Sequence, residues 1–128
     1  MKGFSVIKGL RYGKTVNTNR YQNLFMQVRF NNSYLEKVYA GLPVSGKPKY
    51  NNGVIEKFKK VVRIIKNVEN SVSLKQFRSL NFEALKGDKR GLYSVRVDIK
   101  YRLEFRIGKD KISFTELALI EKLSKHYE

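Results

Sequence analysis

Cysteine and tryptophan are absent from this 128-residue chain, and there is one histidine, His126, and only two prolines. Without cysteine there are no disulfides and no thiolate metal ligands, which suits a reducing cytoplasm. One histidine cannot build a zinc site, and no acidic cluster suggests a two-metal nuclease. Any hydrolytic chemistry is therefore expected to proceed without metal or cofactor. No apolar run approaches the roughly 20 residues needed to cross a bilayer, so no membrane association is expected. The N-terminal "MKGFSVIKGLRYGKT" lacks the continuous apolar stretch of a signal peptide. A cytoplasmic protein is the reading these absences support.

Acid is also scarce. Eleven Asp and Glu stand against 27 Lys and Arg, a formal charge of +16. Solubility alone asks for a net charge of roughly 2 to 8 in a small domain. An excess of this size is the footprint of a protein that meets phosphate backbones, although an acidic protein or an anionic surface would also fit. Hydrophobic residues make up 41% and aromatics 12%, enough for an ordinary core in a single domain.

Residues 1–24 carry five basic residues, no acid and no sustained periodicity. They read as a basic arm, either an upstream extension or a disordered segment, ahead of a domain spanning 25–128. Without them 22 basic and 11 acidic residues remain, so the domain itself is strongly basic. A chain starting at Met26 is expected to melt at the temperature of the full chain, because the arm has no apolar pattern to give a core. A drop of several degrees would mean that the arm packs.

From Met26, "MQVRF" alternates as a first strand does. "NNSYLEKVYAG" reads as a short helix with Ser33 and Glu36 as a capping box and Gly41 as its stop. A Gly/Pro/Asn-rich loop over 41–53 follows. A second helix places Val54, Ile55, Phe58, Val61, Val62 and Ile65 on one face and Lys57, Lys59, Lys60, Arg63 and Lys66 on the other. That basic face is either solvated or a partner surface. Residues 69–84 are less regular. Then "LKGDKRGLYSVRV" (85–97) packs a turn with cations and runs into an alternating strand. Tyr93, Val95 and Val97 share one face, Ser94, Arg96 and Asp98 the other. A second strand points Tyr101, Leu103, Phe105 and Ile107 inward and Arg102, Glu104 and Arg106 outward. After a hairpin turn at 108–110, a third strand runs from Ile112 to about Leu119. Leu117, Ile120, Leu123 and Tyr127 also fit helical spacing, so a terminal helix is the alternative. The expected fold is α+β: an N-terminal strand, two helices, then an antiparallel three-strand meander, forming one sheet with both helices on one face.

The chemistry is concentrated beside that meander. Lys86, Lys89 and Arg90 in the turn, with Arg96, Arg102 and Arg106 on the sheet, make a cationic rim that suits a phosphodiester. Phe82, Tyr93, Tyr101 and Tyr127 lie nearby, either to stack on unpaired bases or, for Tyr93 and Tyr101, to fill the core. Imidazole is the side chain that titrates near neutral pH, so His126 is a candidate for an acid–base role, although a lone terminal histidine is often simply a surface residue. No Gly-rich phosphate loop is present.

"LKGDKRGLYSVRVDIKYRLEFRI" (85–107) and the terminal "HY" resemble the RelE/HigB-type toxins of the RelE/ParE toxin–antitoxin superfamily, with the close match over residues 80–107. The resemblance implies a RelE-like fold and an endoribonuclease that cleaves mRNA on the ribosome, neutralised by a cognate antitoxin. It also implies metal-independent chemistry, with the substrate 2′-OH attacking the adjacent phosphate. Lys86 and Arg102 match residues that would stabilise the transition state. His126 and Tyr127 match a terminal pair that would transfer a proton and stack on a base, and Lys89, Arg90, Arg96 and Arg106 would bind phosphate. Glu83 stands where HigB-type members often have histidine, and the terminal order is His-Tyr-Glu rather than Asp-Tyr-His. A carboxylate at 83 can act as general base if Lys86 or Arg102 offsets its repulsion of phosphate. Two other readings remain: a ParE-like toxin that inhibits DNA gyrase through protein contact, and a non-catalytic basic RNA-binding module.

Overall fold

A computed structural model describes residues 25–125, together with the backbone of a two-strand ladder, β1 (Ser5–Val6) and β2 (Gly9–Leu10). Apart from that ladder the expectation of a basic arm over 1–24 lies outside the described residues.

The chain enters the domain at Met26, which is buried and donates its N–H to the Val68 carbonyl (2.8 Å), and forms β3 (Gln27–Phe30). Helix α1 (Ser33–Ala40) follows. Its cap is Asn32 rather than Ser33: the Asn32 carboxamide accepts the Leu35 N–H at 3.0 Å, satisfying one of the orphan donors of the first turn. Gly41 ends the helix at φ 75, the left-handed conformation that closes the last turn without a Cβ penalty. Helix α2 (Asn52–Lys66) starts in the same way on Asn51, whose side chain accepts the Val54 N–H at 2.9 Å. It buries Val54, Phe58, Val61, Val62 and Ile65, the face its spacing predicts, and exposes Lys57, Lys60, Arg63 and Lys66. Two 3₁₀ turns (Ser71–Gln76 and Arg78–Leu80) then lead back to the sheet.

The sheet has five strands in the order β3-β7-β6-β5-β4, where β4 is Glu83–Ala84, β5 Tyr93–Arg96, β6 Tyr101–Lys109 and β7 Glu116–Lys125. The expected meander is its antiparallel centre, β5-β6-β7. Three features correct the sequence reading. The sheet is mixed, because β3 pairs with β7 in parallel, Gln27 opposite Leu117 and Phe30 opposite Ile120. A short edge strand, β4, pairs with β5. The last strand also begins at Glu116 and runs to Lys125, six residues past the expected end, so the terminal-helix alternative falls. Its helix-like spacing has a specific origin. Phe105 lies opposite Ile120 while Glu104 lies opposite Lys122, so Glu121 is an extra residue in β7, a β-bulge. The bulge shifts the inward phase from Ala118 and Ile120 to Leu123, leaving a three-residue step that imitates a helix.

The apolar face of the sheet (Val95, Leu103, Phe105, Ala118, Ile120, Leu123) closes on Leu35, Val38 and the buried face of α2, so both helices lie on one side as expected. Tyr93 stacks with Phe82 (centroids 5.7 Å), and Tyr101 meets Tyr50 edge-on (5.6 Å), so both tyrosines pack against the core. Tyr50 also donates its hydroxyl to the Leu123 carbonyl (2.9 Å), tying the end of β7 to the helical layer. Among the described residues the opposite face of the sheet carries no α-helix, and Arg96, Arg102 and Arg106 are there.

Candidate active site

The stretch 83–96 is a β-hairpin. Glu83 lies opposite Ser94 and Ala84 opposite Tyr93, and the Leu85 N–H donates to the Leu92 carbonyl at 2.8 Å. The loop between them contains a 3₁₀ turn over Gly87–Lys89. It folds across the helix-free face of the sheet. Gly91, at φ 95, shows how closely it approaches: a Cβ there would lie 3.2 Å from a guanidinium nitrogen of Arg106. The backbone angle is one that glycine adopts without a Cβ penalty.

Under this loop sits a carboxylate. Glu104 points to the outward face but is only 4% exposed, and Lys89 Nζ contacts its Oε2 at 2.7 Å. Ser124 Oγ donates to the same oxygen at 2.6 Å. Burial by itself would raise the Glu104 pKa. The hydrogen bonds from Lys89 and Ser124, with the nearby charges of Lys89 and Lys122, outweigh it and hold the carboxyl below its ordinary value near 4.5. A carboxylate with a depressed folded pKa stabilises the fold above the unfolded value and loses that contribution as pH falls through the folded one. Glu104→Gln is therefore expected to flatten the fall of stability below about pH 4.5, as urea unfolding across that range will show. An acid limb identical to the parent's would remove Glu104 from the titration.

Arg102 projects from the same face one outward position away, its side chain 13% exposed, and forms an ion pair with Glu83, which is 46% exposed. Asn81, at φ 47, turns its carbonyl toward the same guanidinium (3.5 Å). Arg96 is directly opposite Arg102 across the β5–β6 pair and is exposed. Facing like charges are unfavourable in a sheet, and the Glu83 carboxylate offsets this pair. Arg106 approaches Glu121 at 3.5 Å. Lys86, Arg90 and Arg96 form no ion pair among the described residues, so they are among the cations left for an incoming anion.

The structure thus gathers Glu83, Arg96 and Arg102 at one end of the open face. Lys89 lies at the middle, committed to Glu104, and Arg106 lies beyond it under the loop. Lys86 belongs to the loop end: Ala84 pairs with Tyr93 and Tyr93 with Phe105, so Lys86 and Arg102 lie on opposite sides of the Lys89–Glu104 pair. His126 and Tyr127 lie outside the described residues. The strand that leads to them is placed, with Ser124 opposite Arg102 and Lys125 opposite Tyr101. Sequence reasoning passed over Glu104 and Ser124. The available signal was a lone acid alternating with Arg102 and Arg106 on an outward phase. No three His, Asp or Glu side chains among the described residues gather as a metal site would.

Neither a family model nor a curated protein matches the sequence. Among solved structures the chain shares the fold of YafQ from E. coli strain BL21(DE3), with a TM-score of 0.51 at 12% identity over 80% of this chain and 94% of that one. A YoeB/ParE toxin from Agrobacterium tumefaciens aligns with a TM-score of 0.48 at 17% identity, over 80% of this chain and all of that one. A chain of a YoeB–YefM complex from Staphylococcus aureus aligns with a TM-score of 0.43 at 18% identity, over 80% of this chain and 98% of that one.

Proposed function

We propose that this chain is the toxin of a toxin–antitoxin module and an endoribonuclease that cleaves mRNA on the ribosome. The observation that carries the reading is the Glu83–Arg102 pair. It joins a half-exposed carboxylate to a largely buried guanidinium, beside the exposed cation of Arg96, on a face that no α-helix covers among the described residues. Glu83 would otherwise repel a phosphodiester, and the Arg102 guanidinium beside it offsets that repulsion. The fold shared with YafQ and the resemblance over residues 80–107 agree with it.

The proposed reaction assigns each side chain one task. Glu83 takes the proton of a ribose 2′-OH, and the 2′ oxygen forms a bond to the adjacent phosphorus. Arg102 and Arg96 neutralise the charge that builds on the non-bridging oxygens. The P–O5′ bond breaks, and the leaving oxygen takes a proton from His126, yielding a 2′,3′-cyclic phosphate and a 5′-hydroxyl. Tyr127 stacks on a neighbouring base, and Lys86 and Arg90 hold flanking phosphate from the loop. The group requirement is met by side chains alone, so no metal or cofactor enters these steps.

Inducing the protein in cells and mapping mRNA 5′ ends tests the proposal. New ends within codons are expected, and co-expression of the cognate antitoxin should suppress them. Intact mRNA together with DNA damage would instead support gyrase inhibition.

A further inference from the structure

At the end of the sheet away from Arg102, the turn between β6 and β7 lifts two large apolar side chains into solvent. Ile112 is 88% exposed and Phe114 75%. Phe114 has φ 62, a left-handed conformation that a bulky L-residue takes only when its surroundings impose it. Here they do. The Asp110 carboxylate, itself buried, accepts the N–H groups of Ile112 (3.2 Å) and Ser113 (2.8 Å) and pairs with Arg29. Asp110 N–H donates to the Thr115 carbonyl and Phe114 N–H to the Asp110 carbonyl, both at 2.9 Å. Gln27 donates to the Ser113 hydroxyl at 2.9 Å. A turn this firmly bonded keeps a phenyl ring in water.

Its surroundings narrow what it meets. Lys109 and Lys111 flank the tip and are exposed. Gln27 and Arg29 anchor the turn from β3, and Arg29 lies in register with Leu119 and, through it, with Arg106. The turn is therefore tied through Arg29 to the cationic face, and the exposed Lys109 and Lys111 add positive charge beyond it. Seven residues of β6 separate Arg102 from Lys109, about 24 Å at roughly 3.4 Å per residue. A partner for an aromatic tip that follows two lysines needs an anionic backbone and flat apolar faces. Single-stranded RNA has both.

We propose that the β6–β7 tip is a base-stacking subsite for single-stranded RNA: Phe114 stacks on a base several nucleotides from the cleaved bond, and Lys109 and Lys111 hold the adjoining phosphates. This rests on the RNA-cleaving reading above and extends it to an extended substrate.

The test uses the full chain and a single-stranded 2′-O-methyl RNA of about 12 nucleotides, which has no 2′-OH to attack, labelled at one position at a time with fluorescent 2-aminopurine. With the parent, the label is expected to be quenched at a position remote from the reacting bond. Phe114→Ala should abolish that quenching and weaken binding by about 5- to 150-fold, the scale of one lost base stack, while Phe114→Tyr retains both. A trinucleotide, too short to reach the tip, should bind parent and Phe114→Ala alike. Because the ring is exposed, neither substitution should move the melting temperature. A chain that cleaves mRNA in cells but binds the long RNA equally well with and without Phe114 overturns the subsite and leaves the cleavage reading standing. A chain that cleaves no mRNA and binds no RNA overturns both. If Phe114→Ala instead releases the protein only from phosphatidylserine vesicles, the tip meets lipid and the RNA subsite falls.

Discussion

Replacing Arg102 by alanine is expected to abolish toxicity while leaving the domain folded. The guanidinium is largely buried at the open face and paired with Glu83, where charge would build on a phosphate under attack. Removing one preorganised donor of this kind typically costs about 10²- to 10³-fold in rate. The structural cost should be small by comparison. Glu83 is nearly half exposed and can be solvated on its own, and Arg96 loses the like charge facing it. Arg102→Lys separates charge from geometry: an ammonium cannot reproduce the guanidinium fork, so most of the loss should remain. Cell viability on induction, mapped mRNA ends and thermal unfolding of the purified variant provide the readouts. A variant that melts like the parent and is equally toxic removes Arg102 from the site.

Deleting residues 125–128, or replacing His126 with glutamine, should lower RNA cleavage by about 10²-fold or more, the usual scale for an acid–base group. The support comes from the strand before it. Tyr50 holds the Leu123 carbonyl, Ser124 bonds to Glu104, and Ser124 lies opposite Arg102, so β7 passes Arg102 two residues before His126. RNA binding should change far less, because a chain of charge +16 keeps nearly all of its phosphate-directed cations. Single-turnover cleavage and equilibrium binding on the same preparation separate the two effects. Cleavage at the parental rate after His126→Gln would leave Glu83 and Arg102 to act without it.

How much of this was legible depended on whether the signal was local. The inward phase of β5 and β6 follows from alternation over Tyr93–Val97 and Tyr101–Ile107, and the buried face of α2 from its 3.6-residue spacing. The Gly41 stop could be read because its φ of 75 suits glycine. The helix starts came less exactly, since Asn32 and Ser33 are both good caps and only backbone geometry chooses between them. The parallel β3–β7 pairing joins residues about 90 positions apart, and neither segment carries a mark of the other. The bulge at Glu121 turned a strand's period into an apparent helix's.

The cationic site divides along the same line. Sequence by itself determined that Arg96, Arg102, Glu104 and Arg106 share the face opposite the core, because successive side chains of a strand point to opposite sides. It could not determine what covers that face. Tertiary structure folded the Lys89 loop over Glu104, turning an outward acid into a buried clamp, and brought Glu83 across from β4 to Arg102. Alternation assigns a side chain to a face; its charge state and partner depend on chain segments that only the folded sheet brings within hydrogen-bond reach.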